Sequence, residues 1–195
     1  MDLFLQVWGG LFYLTNKVLF ALSVGQIDTR RRQLQVMAWI IYSLGVPAWV
    51  ILFVGQHDWI AASIEAGGVP AMLLGLYNTV KGSVQPHRLF NVLVSLCTYA
   101  SLTFGLLYSL NHHGGLVSLS QMLEIGVMIG FLLGTYLLAK NREQGWLFFM
   151  LMNISMAALM MLQDKSILMG QQFLSLCFVL YSYVKIRQGR RKSTA

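Results

Sequence analysis

The sequence predicts an all-α integral membrane protein of seven transmembrane helices, arranged as two parallel three-helix repeats joined by an inverting fourth helix (3+1+3). Three observations lead there. Of the 195 residues, 56% are hydrophobic and 11% charged, with a mean hydropathy of +0.62; a soluble core of this length cannot absorb so much apolar surface. The apolar residues form long continuous runs without period-two alternation, which argues against strands. One stretch also recurs. AWIIYSLGVPAWVILFVGQ and GWLFFMLMNISMAALMMLQ superpose at an offset of 107 residues, pairing Trp39 with Trp146, Leu44 with Leu151 and Gln56 with Gln163. Internal repeats of this kind mark transporter folds that place a substrate site between two similar halves.

A spanning helix needs about 20 mostly apolar residues. On that measure helices are expected near 3–25, 34–55, 59–80, 89–110, 116–139, 145–162 and 166–186. The opening MDLFLQVWGG lacks a basic n-region and a small-residue cleavage site, so the first span is expected to be retained. The second holds Pro47, a removed backbone donor and an expected kink. The third holds Glu65 within EAGGVP, where Gly67, Gly68 and Pro70 permit close helix approach or bending. The fourth is the inverting link, and the fifth carries Gln121 and Glu124. The sixth and seventh repeat the second and third. The chain therefore divides into a first repeat over 1–81, a linker helix over 82–115, a second repeat over 116–187 and a basic tail over 188–195.

Charge sets the expected orientation. Twelve of the fourteen Lys and Arg residues fall on one side: Arg30–Arg32, Lys81, Arg88, Lys140, Arg142 and the five between Lys185 and Lys192. The positive-inside rule then puts the N-terminus outside and the C-terminus in the cytoplasm. The net charge of +7 is read as this topology signal rather than as affinity for nucleic acid. The RQGRRK tail is also suited to touch anionic membrane lipid. Lys17, inside the first span, is expected to snorkel to the cytoplasmic face. Cys97 and Cys177 lie within apolar runs and form no disulfide framework. His112 and His113 sit in an expected external loop with no further ligands, so no metal site and no cofactor is expected.

Polar groups in mid-span need partners, which makes them the site candidates. Trp146, Phe149 and Asn153 are spaced by three and four along the sixth helix and share one face, where two rings and a carboxamide suit a planar ligand with a polar edge. Trp146 equally fits an interfacial aromatic belt, and Asn153 an interhelical hydrogen bond. The matching face of the second helix carries Trp39, Tyr42 and Val46, with Trp49 nearby. Glu65 is expected to line the central path, and the repeat sets Gln172 opposite it, with Gln171 adjacent. Gln121 and Glu124 fit either the path or the headgroup layer. Gln56 and Gln163 close their spans at the external ends. No G-x-S-x-G, phosphate-binding glycine loop or H-E-x-x-H is present, and the chain is not expected to be an enzyme.

The stretch KNREQGWLFFMLMNISMAALMMLQ resembles the corresponding part of the Pnu-type (PnuC-like) vitamin transporters, in which a basic segment leads into a sixth helix bearing W-x-x-W-x-x-x-N and a later glutamine. Here those positions are Trp146, Phe149 in place of the second tryptophan, Asn153 and Gln163, and Glu124 falls where the family tends to have an acid. The resemblance covers roughly residues 120–186 and is general in the first half. It implies facilitated diffusion of a water-soluble vitamin of the nicotinamide riboside, thiamine or riboflavin class across a bacterial inner membrane. An intracellular kinase would trap the substrate, with no ATPase, coupling ion or cofactor, and a homo-oligomer is compatible with the plan. Trp146 would stack on the ligand ring and Asn153 would bond its polar groups. Phe149 keeps an aromatic but loses the indole donor, which weakens the case for nicotinamide riboside itself. Two other readings stay open: a SWEET-type sugar facilitator of related architecture, and a membrane accessory protein or enzyme using Glu65 and Glu124 as acid–base groups.

Overall fold

The computed structural model describes residues 2–55, 57–82 and 88–194. They form seven α-helices: α1 Asp2–Ser23, α2 Asp28–Gly55, α3 Trp59–Lys81, α4 Arg88–His113, α5 Leu119–Ala139, α6 Gln144–Leu162 and α7 Ser166–Thr194, with no strand among the described residues. Four of them, α2, α4 (over Arg88–Asn111), α5 and α6, are long and apolar enough to cross a membrane. Large apolar side chains such as Leu93, Leu96 and Leu107 on α4 point outward, as lipid contact requires. Cys97 and Cys177 are free thiols on this exposed surface.

Several boundaries differ from expectation. α2 begins at Asp28, so Arg30–Arg32 are helical; the acid in the first turn complements the helix dipole, and neither Gly nor Pro interrupts the segment. His112 and His113 end α4 rather than occupying a loop. α7 continues through the basic tail, because Arg, Lys and Gln are good helix formers. Helix α2 also runs uninterrupted past Pro47.

The connection from α2 to α3 and that from α6 to α7 are the same turn. At the 107-residue offset, Gly55 falls on Leu162 as the last helical residue, and Trp59 on Ser166 as the first. His57 and Asp164 both turn the chain in the left-handed region, with φ of 58° and 55°. Three backbone hydrogen bonds recur. His57 N donates to Val54 O (3.1 Å) as Asp164 N does to Met161 O (3.2 Å); Asp58 N donates to Phe53 O and Lys165 N to Met160 O (both 2.9 Å); Ala62 N donates to Asp58 O (3.1 Å) and Met169 N to Lys165 O (3.0 Å). Gln56, the repeat partner of Gln163, lies outside the described residues.

Helix contacts close into a ring, α1–α2–α3–α5–α6–α7 and back to α1, while α4 packs outside it on α3 and α5. The tightest seam joins α5 to α6. Gly126, Gly130 and Gly134 recur every fourth residue along α5, and a Cβ at Gly130 would sit 2.6 Å from both Met152 N and Phe148 O of α6. Small residues at that spacing let two membrane helices meet backbone to backbone. Gly68 brings α3 onto α5 in the same way, with a Cβ there 2.6 Å from the Phe131 ring. At the α4–α5 corner, the buried Gln121 donates to Ser109 O (3.1 Å) and Gly115 O (2.9 Å) and accepts from Val117 N (3.1 Å). Gln121 thus staples the α4–α5 corner.

Candidate functional site

Two cavities open into the ring of helices among the described residues. One, of about 530 Å³, is bordered by Arg31, Arg142 and Lys185 and is called the basic cavity. The other, of about 350 Å³, is bordered by Asp58, Glu65, Glu124, Lys17 and Lys165 and is called the mixed-charge cavity. Phe20, Trp39 and Trp146 line the basic cavity, whereas Tyr13, Lys17 and Phe131 line the mixed-charge one. Tyr42 and Phe149 line neither and touch both groups. Tyr42 lies 6.3 Å from Trp39 and 4.8 Å from Tyr13, centroid to centroid, and Phe149 lies 6.3 Å from Trp146 with Lys17 Nζ over its face. An aromatic layer therefore separates the cavities.

The residues expected to form one site are distributed across this partition. Glu65, Glu124, Gln163 and Gln172 line the mixed-charge cavity. Trp39 and Trp146 line the basic cavity, on either side of Phe20 (5.1 and 6.1 Å between centroids). Tyr42, Phe149 and Asn153 are fully buried between. Trp146 is 3% exposed, so it packs inside the bundle and is not an outward-facing belt residue. Its repeat partner Trp39 is 2% exposed, and Gly75 of α3 clears space for its indole. Tyr42 Oη is within 3.2 Å of Thr135 Oγ1, which ties α2 to α5 across the centre.

Asn153 does not bridge helices. Its Nδ2 donates to Phe149 O of its own helix (2.6 Å), and its Oδ1 is buried without a partner. A buried carboxamide oxygen left unpaired costs stability, and Asn16, Asn78 and Asn91 carry buried unpaired oxygens as well. Glu124 is exposed at the mouth and accepts from Ser120 Oγ (3.3 Å). Gln171, next to Gln172, is structural: its Nε2 donates to Gly10 O (2.8 Å) and joins α7 to α1.

Lys17 corrects the expectation of snorkelling. It is 2% exposed, with Nζ 3.2 Å from the Phe149 centroid and 4.9 Å from that of Tyr42. Helical side chains lean toward the N-terminus of their helix, so Lys17 leans away from the basic cavity that the C-terminal end of α1 reaches at Phe20 and Ser23. Across the mixed-charge cavity, Tyr13 Oη donates to Glu65 Oε2 at 2.5 Å. Tyr13, Lys17 and Trp49 line this cavity although mid-span polarity and the repeat do not single them out as site residues. A signal is nonetheless present: Tyr13 and Lys17 stand one helical turn apart, and Lys17 and Glu65 are charges of opposite sign within expected spans. No protein-family model, curated protein or solved structure matches this chain.

Proposed function

We propose that this protein is a membrane carrier for a planar water-soluble vitamin or nucleoside-like precursor, working by facilitated diffusion as Pnu-type transporters do. The observation that carries the reading is the pair of cavities, one at each end of a single bundle, separated by one aromatic layer. A carrier of this kind binds its substrate near the middle and opens alternately to either side. Pockets of a few hundred Å³ lined by aromatics and a few polar groups are the usual size for such ligands.

The 3+1+3 parallel repeat is supported by the contact ring. Replacing α1, α2 and α3 by α5, α6 and α7, and the reverse, maps each contact of the ring onto another, and the recurring turn supports the same equivalence. Arg31, Arg142 and Lys185 gather around one cavity, which favours that end as the cytoplasmic face. On this reading the mixed-charge cavity receives substrate from outside. Trp39, Trp146 and Phe20 then form the closed inner gate, and Tyr42, Phe149 and Asn153 are the portion of the site that gate movement uncovers. The membrane would be a bacterial inner membrane, with a cytoplasmic kinase trapping the product.

The test is uptake into proteoliposomes without ATP or an ion gradient, using riboflavin, thiamine and nicotinamide riboside. Saturable uptake of one of them, reduced by Trp146→Ala, is expected. Uptake of sugars in place of vitamins would move the protein to the SWEET-type reading, and uptake of neither would end the carrier reading.

A further inference from the structure

The deep end of the mixed-charge cavity holds a lysine and a glutamate that do not pair with each other. Lys17 is buried, and no oxygen or nitrogen accepts a hydrogen bond from its Nζ. The faces of Phe149 and Tyr42 attract its charge but supply no acceptor atom. Glu65 lines the same cavity, yet no Lys17–Glu65 contact closes to within the 4.0 Å of an ion pair. Two restraints are visible: Tyr13 holds Glu65 through Oε2, and the two rings hold Lys17. Trp49 adds a third unmet need, since its indole Nε1 also lacks a partner on this cavity wall.

We infer that Lys17 is a specificity-determining residue that takes a carbonyl oxygen of the ligand ring, while Glu65 takes an N–H beside that carbonyl, so that the ligand bridges the two. The class selected is a planar ring bearing a carboxamide, lactam or imide edge. This inference rests on the carrier reading and narrows it. The physical reason is asymmetric: a ring without a carbonyl leaves the Lys17 donors buried and unpaired, and sites built around a buried donor reject analogues that lack the acceptor.

Binding to the purified full-length protein, measured by calorimetry, tests it with riboflavin (imide), nicotinamide riboside (carboxamide) and thiamine (no carbonyl). A carbonyl-bearing ring should bind tightest, and Lys17→Met should weaken it by about tenfold or more, while Lys17→Arg, which keeps the donors, retains most of the affinity. Thiamine binding tightest, or Lys17→Met weakening the carbonyl ring by less than about tenfold, overturns the role of Lys17 and leaves the carrier reading standing. If none of the three rings binds the unaltered protein, the carrier reading fails and this inference with it. Should Lys17→Met not fold, the ranking of the three rings by the unaltered protein decides.

Discussion

The α2–α3 and α6–α7 hairpins share a backbone and differ in chemistry. His57 and Asp164 turn the chain at φ of 58° and 55°, and three flanking backbone hydrogen bonds agree to within 0.1 Å. Burial agrees as well: Trp39 and Trp146, Tyr42 and Phe149, Val46 and Asn153, Leu52 and Leu159 are all buried. Yet Tyr42 reaches Thr135 whereas Phe149 has no hydroxyl, Asn153 has an unpaired oxygen where Val46 has none, and Glu65 is matched by Gln172. The cavity walls follow suit. α1–α3 supply Tyr13, Lys17, Trp49 and Glu65, while α6 supplies Met152, Met156 and Met160. Polar groups come from both halves, Lys17 and Glu65 from the first and Glu124, Lys165 and Gln172 from the second, while the α6 methionines form a soft, adaptable wall. Two hairpins of one backbone shape can thus carry different chemistry, because the backbone sets position and the side chains vary.

The comparison can be broken first at its most symmetric point. Trp39→Ala and Trp146→Ala should each destabilise the protein by about 3–5 kcal/mol, the usual cost of truncating a buried large aromatic, and by similar amounts. Thermal or denaturant unfolding in detergent measures this, and a large difference between the two would mean that the halves do not bear equal loads. Tyr13→Phe should cost about 1.5–3 kcal/mol, because it removes a hydrogen bond to a carboxylate and leaves Glu65 Oε2 without its donor. The change has no counterpart in the second half. Asn153→Leu sharpens the difference between stability and function. Removing an unpaired buried oxygen should leave stability unchanged or raise it by about 1 kcal/mol, while uptake of the vitamin class proposed above should fall. A parallel fall in stability and uptake would make Asn153 a packing residue. The smallest effect is expected on the soft wall, where Met156→Leu should cost less than about 1.5 kcal/mol and change uptake little.

Much of the fold is legible in the sequence because membrane helices announce themselves by length and apolar continuity, which depend on local sequence alone. All seven helices fall where apolar runs predict them, and the differences lie at ends, as with Asp28 and the basic tail, where polar residues that favour helix adjoin an apolar run. The site is less legible. The cost of burying polarity identifies Glu65 as a cavity residue and the repeat adds Gln172, but Trp39 and Trp146 sit beyond the aromatic layer, and Asn153 within it. Helical spacing places residues on a face; it does not say how far along the bundle a cavity reaches.

The helices, the repeat at 107 residues and the concentration of basic residues in particular connections all follow from composition and order along the chain. It takes the packing of the helices against one another to turn Lys17 inward to the ring of Phe149, to clamp Glu65 with Tyr13 and to divide the two cavities with aromatic side chains. The reason is physical: a buried charge is placed by partners on other helices, and those partners are chosen by packing between segments that lie far apart in the chain.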